Sequence, residues 1–197
     1  METVLLAAGK GQRMGVSKLL LSYQGKPLLA HALEASLEGS SRVIIVTGSW
    51  RQAIEAVIAP YKQQFPEKLI IVHNAHPERG QFYSTQIGVS YLSPETHFFL
   101  ALADLPLIKG DHYRQLAKEL NGWEGVRPFY KGNPGHPVLC CKTLAKALLE
   151  APFSTSVHQI IEGRRIKPFL SEDPAWTTDI DTPESYRHFI NHWDSSG

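Results

Sequence analysis

Val4-Leu5-Leu6-Ala7-Ala8 is an apolar run that leads directly into the glycine-rich segment Gly9-Lys10-Gly11-Gln12-Arg13-Met14-Gly15. A short apolar run of this kind predicts a strand that is buried on both faces, as in a parallel sheet. Glycines let backbone amides approach anionic oxygens closely, so the following loop is predicted to form an anion-binding cradle. Arg13 and Lys18 add positive charge, arginine as a bidentate fork and lysine as a point charge.

Two well-known phosphate-binding loops differ from this segment. The dinucleotide fingerprint GxGxxG requires a third glycine where Met14 stands, and the second predicted strand ends in Val46-Thr47-Gly48 without the expected acidic residue. The P-loop requires a Gly-Lys-Ser/Thr sequence, which this loop lacks. An ordinary glycine-rich turn between a strand and a helix stays open as the alternative to an anion site.

Apolar runs and amphipathic segments alternate along most of the chain. Strands are predicted at residues 4–8, 42–47, 68–72 and 97–103, and helices at residues 27–38, 50–61, 83–92 and 111–120. This alternation predicts a parallel sheet with helices on both faces, in which the loops after the first and fourth strands face one cleft. The remainder predicts a strand at 136–140 and helices at 142–150 and 183–193. No repeat or linker is evident, so one domain over residues 1–197 is expected.

Two acidic segments lie at predicted strand or helix ends. Asp104 follows Leu100-Ala101-Leu102-Ala103, where a carboxylate is placed to hold a hard metal ion at the cleft, although a turn or N-cap role is the alternative. Asp179 and Asp181 precede a predicted helix start at Pro183 and could complete a metal site, or Asp181 or Thr182 could cap the helix. The two aspartates are expected to point in opposite directions, so that one binds metal and the other caps or orients.

The overall composition excludes several classes of protein. Hydrophobic residues make up 43% and charged residues 20% of the chain, which excludes a disordered protein. The formal net charge of +1 argues against a nucleic-acid partner. The apolar stretch at residues 98–108 is broken by Asp104 and is too short to span a membrane. Cys140 and Cys141 are adjacent and the N-terminus does not look like a signal peptide, so a reducing, cytoplasmic location is expected.

Four segments together resemble one family. Leu6-Ala7-Ala8-Gly9-x-Gly11-x-Arg13-Met14-Gly15, followed by Lys18, is similar to the signature of the molybdenum-cofactor nucleotidyltransferases and of the wider sugar-nucleotide pyrophosphorylase-like superfamily. Leu102-Ala103-Asp104-Leu105-Pro106 resembles their metal-binding aspartate segment. Two further runs resemble the cytidylyltransferase branch, Gly132-Asn133-Pro134-Gly135-His136-Pro137-Val138-Leu139 and Asp179-Ile180-Asp181-Thr182-Pro183-Glu184. The four occur in the family's order and cover essentially the whole chain.

The resemblance implies a fold and a set of ligands. The fold is a three-layer αβα sandwich with a Rossmann-like, mostly parallel sheet, and the substrate is a nucleoside triphosphate. A Mg²⁺ ion is expected between Asp104 and Asp181. Molybdopterin is the implied acceptor, with His136 and Asp179 on its side of the cleft, and a molybdoenzyme would receive the product. The nucleotide is expected to contact Leu6, Ala7, Ala8, Gly9, Gly11, Arg13, Lys18 and Ser84.

The residues next to the glycine loop indicate the base and the reaction. The Ala7-Ala8-Gly9 form resembles the cytidine-specific branch, whereas the guanylyl branch has glycine at the position of Ala8. The added methyl group narrows the base pocket, so CTP is expected to be preferred. An acceptor phosphate oxygen would attack the α-phosphorus and release pyrophosphate, and an ionised phosphate needs no dedicated general base. Arg13 and Lys18 would stabilise the β- and γ-phosphates.

Two segments depart from the family's pattern. Phe82 and Tyr83 are bulkier than the residues expected after the third strand, and Phe153-Ser154-Thr155-Ser156-Val157-His158 replaces a Gly-Asp-x-Gly-Ala-Arg-like run. The nucleotide side is thus matched better than the acceptor side. Two alternatives stay open: cytidylyl or uridylyl transfer to a sugar phosphate or other small acceptor, and a nucleotide-binding module without turnover. A pure binder would not need both metal-site carboxylates, so the inactive module is disfavoured by the intact set Arg13, Lys18, Asp104 and Asp181.

Overall fold

The computed structural model of the protein describes residues 1–9 and 17–193. The strands in this part of the chain are β1 (Glu2–Ala7), β2 (Ser22–Tyr23), β3 (Lys26–Pro27), β4 (Arg42–Thr47), β5 (Leu69–His73), β6 (Phe98–Leu102), β7 (Gly125–Tyr130), β8 (Asn133–Pro134), β9 (Val138–Cys140) and β10 (Ile166–Ser171). The α-helices are α1 (Leu28–Gly39), α2 (Arg51–Gln64), α3 (Gln81–Val89), α4 (Gly110–Glu119), α5 (Lys142–Glu150), α6 (Val157–Ile161) and α7 (Pro183–Trp193). Two predicted nucleotide-binding residues, Gly11 and Arg13, lie outside the described residues.

One large sheet organises the molecule. Its strand order is β10-β7-β9-β6-β1-β4-β5, with β8 paired to β7. Strands β6, β1, β4 and β5 are mutually parallel, and β10 runs parallel to β7. Strand β9 is antiparallel to both β6 and β7, and β8 is antiparallel to β7. The prediction of a mostly parallel sheet is therefore confirmed. Strands β2 and β3 form a separate hairpin.

Helices cover both faces of this sheet because its central strands are apolar on both sides. Helix α3 packs on β1 and β4, so closely that a Cβ atom at Gly88 would lie 2.3 Å from the side chain of Val4. On the other face α1 packs against α4. There the ring of Tyr113 in α4 meets the ring of Phe99 in β6 edge to face, with centroids 4.9 Å apart. The resulting architecture is the three-layer αβα sandwich that the family resemblance implied.

Prediction was accurate for the first half of the chain and incomplete for the second. Elements up to α4 lie within a few residues of their predicted bounds, although Pro27 precedes α1 instead of lying in its first turn. The predicted strand at 136–140 begins only at Val138, since Pro137 has no N–H group to donate to a neighbouring strand. The short strands β2, β3 and β8, the strands β7 and β10 and the short helix α6 were not predicted. No helix in the described residues is both long and apolar enough to cross a membrane.

Candidate active site

A cleft of about 440 Å³ opens at the carboxyl ends of the parallel strands. Its walls come from the loop after β1, the start of α3, the loop after β6 and the segment before α7. Ligands bind at this edge of open α/β sheets. Ala7 is buried in β1 and is not among the residues that line the cleft. The predicted residues that do line it are Leu6, Ala8, Gly9, Lys18, Ser84, Asp104, Asp179 and Asp181.

Lys18 connects the two acidic segments across this cleft. Its Nζ donates a hydrogen bond to Oδ2 of Asp104 at 2.5 Å and a second one to Oδ1 of Asp181. Burial on its own would lower the pKa of Lys18, but the charge and hydrogen bonds of Asp104 and Asp181 raise it above its ordinary value. At neutral pH the ammonium group is therefore charged and partly neutralises both carboxylates.

Asp179 is the third carboxylate on the cleft wall. Burial, followed by the negative charges of Asp181 and Asp104, raises the pKa of Asp179 above its ordinary value. Three carboxylates around one ammonium group leave an excess of negative charge at this point of the cleft. Such an excess favours binding of a further cation.

Asp104 provides a direct test of whether a metal ion would fit. Its Oδ2 contacts Lys18, whereas its Oδ1 is buried and has no hydrogen-bond partner among the described residues. Leaving a buried acceptor unpaired costs about 1–3 kcal/mol, and more when the group is charged. Mg²⁺ takes oxygen ligands and is usually held by one or two carboxylates together with substrate phosphates, so Asp104 and Asp181 suit it. In the described part of the chain, no group of three His, Cys, Asp or Glu side chains is arranged to hold a metal alone.

Thr182 performs the capping role that was the alternative for Asp181. Its Oγ1 accepts a hydrogen bond from the backbone N–H of Ser185 at 3.1 Å, as expected of an N-cap residue of α7. Ser185 Oγ in turn accepts from the backbone N–H of Asp181 at 3.1 Å. These bonds fix the backbone before α7, so that the Asp181 carboxylate reaches Lys18.

The expectation that Asp179 and Asp181 point in opposite directions is wrong, because both line the same cleft. The expectation misapplied the alternation of side chains, because residues two apart in an extended segment lie on the same face and only Ile180 between them would point the other way. Ile180, between the two aspartates, is fully buried in a small cluster with Tyr23, Leu28 and Phe189. This anchor turns the aspartates on both sides of it towards the cleft.

The start of α3 forms the opposite wall. Gly80 precedes the helix with φ at 91°, a conformation that favours glycine. Ser84, in the first turns of α3, accepts a hydrogen bond from Nδ2 of Asn74 at 2.9 Å. Asn74 is fully buried, and its backbone N–H donates to the carbonyl oxygen of Thr47. Asn74 was not predicted as a site residue, although a polar residue just after a buried strand is the same signal that identified Asp104.

Two glycines near Ala8 differ in their packing: Gly9 has free space beside its backbone, whereas Gly48 is tightly packed. No described atom lies within 4 Å of the position that a Cβ atom would take at Gly9, so packing does not require glycine there. The space beside its backbone is accessible to a ligand. Behind it, a Cβ atom at Gly48 would lie 2.7 Å from the carbonyl oxygen of Ala8. Ala8 is thus held in place by the close approach of Gly48.

A second cavity of about 220 Å³, here called the side pocket, adjoins the cleft and shares Leu6, Gln81 and Leu102 with it. His136, which was predicted on the acceptor side, lines the side pocket and not the cleft itself. Its Nδ1 donates to the carbonyl oxygen of Leu100 at 3.3 Å, and burial lowers the pKa of the imidazole. His136 is therefore a neutral, packed histidine in the wall of the side pocket.

Comparison with known proteins identifies the class to which this fold and cleft belong. Residues 3–169 match the sequence profile of the MobA-like NTP transferase domain. Because this match covers most of the chain, the protein belongs to the MobA-like NTP transferases, a family of nucleotidyltransferases.

Individual relatives agree with this assignment. The molybdenum cofactor cytidylyltransferase of Escherichia coli (strain K12) is 27% identical over 185 residues, which cover 94% of this chain and 93% of that protein. The bifunctional protein GlmU of Rhizorhabdus wittichii is 31% identical over 123 residues, but these cover 60% of this chain and only 26% of that protein. The crystal structure of Rv0371c from Mycobacterium tuberculosis H37Rv superposes with a TM-score of 0.82 at 21% identity, covering 96% and 97% of the two chains. A complex of Rv0371c with manganese gives a TM-score of 0.79 at 20% identity, with the same coverage.

Proposed function

We propose that the protein transfers CMP from CTP to the phosphate of molybdopterin and releases pyrophosphate. The observation that carries this proposal is the contact of Lys18 with both Asp104 and Asp181 at the carboxyl ends of the parallel strands. One fixed ammonium group and two carboxylates suit phosphate chemistry, which depends mainly on positioning and on neutralising charge. The similarity to the E. coli cytidylyltransferase over nearly the whole of both chains supports the choice of nucleotide and acceptor.

In the proposed reaction an oxygen of the acceptor phosphate attacks the α-phosphorus of CTP. The bond from the α-phosphorus to the bridging oxygen breaks, and pyrophosphate leaves with its electron pair. We assign Lys18 and Arg13 to the β- and γ-phosphates, where negative charge increases as pyrophosphate leaves. The open space beside Gly9 would allow its backbone to approach the phosphates.

Asp104 and Asp181 are the proposed ligands of a Mg²⁺ ion. When bound, this ion would supply positive charge to the phosphate oxygens. Three properties of the chain support the assignment: the unpaired buried Oδ1 of Asp104, the raised pKa of Asp179 beside it, and a donor set made of oxygens. The manganese complex of Rv0371c is consistent with a divalent ion in this fold.

Ala8 is the proposed source of the preference for CTP over GTP. Gly48 packs against its backbone, so the Ala8 methyl group cannot move aside for a larger base. One methyl group contributes about 1–3 kcal/mol to such discrimination. Ala8→Gly should therefore weaken the preference without reversing it, in a competition of CTP, GTP, ATP and UTP at fixed Mg²⁺. A wild-type protein that prefers GTP would contradict cytidylyl transfer but not nucleotidyl transfer.

The acceptor is tested by pyrophosphate release from CTP and Mg²⁺ with molybdopterin and with a panel of sugar phosphates. The proposal expects turnover with molybdopterin well above the rate without an acceptor. Turnover with a sugar phosphate alone would favour the alternative acceptor class, to which the partial similarity to GlmU points. Tight CTP binding without turnover on any acceptor would identify a nucleotide-binding module. With molybdopterin as acceptor, a molybdoenzyme would be the recipient of the product.

A further inference from the structure

Arg127 occupies a position on β7 where the strand register favours an apolar side chain. Val4 of β1 pairs with Leu100 of β6, and Leu100 pairs with Val138 of β9. Val126 pairs with Leu139 in the neighbouring row, so Arg127, the next residue of the antiparallel strand, lies level with Val138. Residues in one row across a sheet share a face, and the other three are buried and apolar. Packing therefore gives no reason for an arginine here.

The guanidinium group of Arg127 lies in the wall of the side pocket, and no described residue gives it a negative partner. Its Nε is buried and has no hydrogen-bond partner in the described part of the chain. Its Nη1 lies 3.5 Å from Nδ1 of His158, a neighbour that carries no negative charge. Burial lowers the pKa of Arg127, and no carboxylate opposes this effect. None of the described residues that line the side pocket is an aspartate or a glutamate.

The Arg127 side chain is half-buried with its Nε fully buried, and a charged group in this position is stabilised by a counter-ion. Desolvation of an unpaired charge is costly, and proteins normally offset it with an ion pair or with hydrogen bonds. The guanidinium fork matches an oxyanion in bidentate geometry, and it is the usual side chain for recognising carboxylates and phosphates. An anionic ligand would supply the partner that the described chain does not.

The location of the side pocket indicates where its anionic ligand lies relative to the reacting phosphates. It opens beside the nucleotide cleft and shares the walls formed by Leu6, Gln81 and Leu102, but Lys18, Asp104 and Asp181 do not line it. The remaining walls, from β6, β9, α3 and α6, are mostly apolar. A group bound there is therefore adjacent to the reacting phosphates without being one of them.

We propose that Arg127 binds a second anionic group of the acceptor, distinct from the phosphate that attacks the nucleotide. This inference rests on the proposed function and refines it. The acceptor would carry its attacking phosphate into the cleft and its second negative charge, on an otherwise apolar body, into the side pocket. Arg127 is thus a specificity-determining residue for the acceptor and makes no contribution to nucleotide binding.

Steady-state kinetics with molybdopterin and CTP test this role. Arg127→Gln should raise the KM for molybdopterin at least tenfold and change the KM for CTP less than twofold. Arg127→Lys, which keeps the charge but loses the fork, should give an intermediate KM. Arg165→Gln is the matched control, since Arg165 precedes β10, level with Glu124 before β7, and lines neither the cleft nor the side pocket, so it should behave as wild type. Equal changes in both KM values, or no change in either, would overturn the inference.

A binding experiment separates failure of this inference from failure of the proposed function. Inorganic sulfate is titrated into the full-length protein while the ring resonances of His158 are followed by NMR. Sulfate should shift these resonances in wild type and in Arg165→Gln, and the shift should be lost in Arg127→Gln. A wild-type protein without the shift, or an unchanged shift in Arg127→Gln, would contradict anion binding at Arg127, whatever the turnover assays show. A normal sulfate response without turnover on molybdopterin would instead count against the proposed acceptor.

Discussion

Residues 1–108, which we call the nucleotide half because the proposed nucleotide contacts lie there, and residues 109–193, which we call the acceptor half after the proposed role of Arg127, are built differently. Strands β1, β4 and β6 are buried along almost their whole length, whereas β10 is an edge strand on which the side chain of Leu170 is 80% exposed. In the first half, core packing dictates most residues of the central strands. In the second half more positions are free of the core, which is consistent with the ligand-binding role that we propose for Arg127.

The largest effect in this comparison is expected at Asp104, on the nucleotide side. Asp104→Asn removes a proposed metal ligand and one of the two charges that hold Lys18. We expect pyrophosphate release to fall by roughly 10²-fold or more, since one charge-stabilising group is worth about that much. CTP binding without Mg²⁺ and the melting temperature should remain close to wild type.

Asp111→Asn is the matched control for Asp104→Asn. The Asp111 side chain is exposed and pairs with Arg114 at the start of α4. It should leave the rate unchanged. If Asp104→Asn kept more than a tenth of the wild-type rate, a loss of less than about 1.4 kcal/mol, Asp104 would not be a principal metal ligand.

Substitutions at Gly48 and Gly9, both in the nucleotide half, are expected to separate an effect on stability from an effect on CTP binding. Gly48→Ala would bring a Cβ atom within 2.9 Å of the Ala8 Cα, an overpacking that should cost about 1–3 kcal/mol of stability. Gly9→Ala meets no described atom and should leave the melting temperature unchanged. Both variants should weaken CTP binding in calorimetry, and neither should raise the KM for the acceptor at saturating CTP. Wild-type CTP affinity in Gly9→Ala would place the phosphates away from Gly9.

The difference between the halves also explains how far the fold could be predicted. Strand β4 contains the continuous apolar run Val43-Ile44-Ile45-Val46, and a strand of this kind is recognisable from sequence alone. Strand β7 contains Arg127 and Pro128, and β10 contains Pro168, so neither has the composition of a regular strand. Their pairing is determined by tertiary contacts across the sheet, which local sequence does not record.

The candidate site, too, could be predicted from the sequence only in part. Each acidic segment could be placed at a strand or helix end from its neighbours in sequence. The contact of Lys18 with both acidic segments could not be predicted, because it depends on how distant loops meet above the sheet. The common orientation of Asp179 and Asp181 could have been predicted, because residues two apart in an extended segment share a face and the apolar Ile180 between them is buried.

A smaller effect is expected at Thr182, which belongs to the acceptor half but positions Asp181. Thr182→Ala removes the cap of α7 and should cost about 1 kcal/mol of stability. We expect kcat to fall several-fold as Asp181 becomes less well positioned, without a change in acceptor specificity. Thr182→Ser keeps the hydroxyl group and should restore both properties. A wild-type kcat in Thr182→Ala would show that the cap does not position Asp181.

The smallest effect is expected at Asp179. Because its pKa is raised in the folded protein, its ionised form is less favourable there than in the unfolded chain. This cost is present above the folded pKa and disappears as the pH falls below the ordinary value of 3.8. Asp179→Asn should therefore melt slightly higher than wild type at pH 7 in EDTA, and the difference should vanish in acid. A lower melting temperature at pH 7 would mean that the ionised Asp179 stabilises the fold.

Nucleotidyl transfer is tested most directly by following each phosphorus of CTP. The protein is incubated with Mg²⁺, molybdopterin and CTP labelled either at the α- or at the γ-phosphate. Label from the α-phosphate should appear in the acceptor and label from the γ-phosphate in pyrophosphate, and neither should do so with Asp104→Asn. Appearance of the γ-label in the acceptor would instead identify a phosphoryl transferase, and would contradict the role assigned here to Lys18, Asp104 and Asp181.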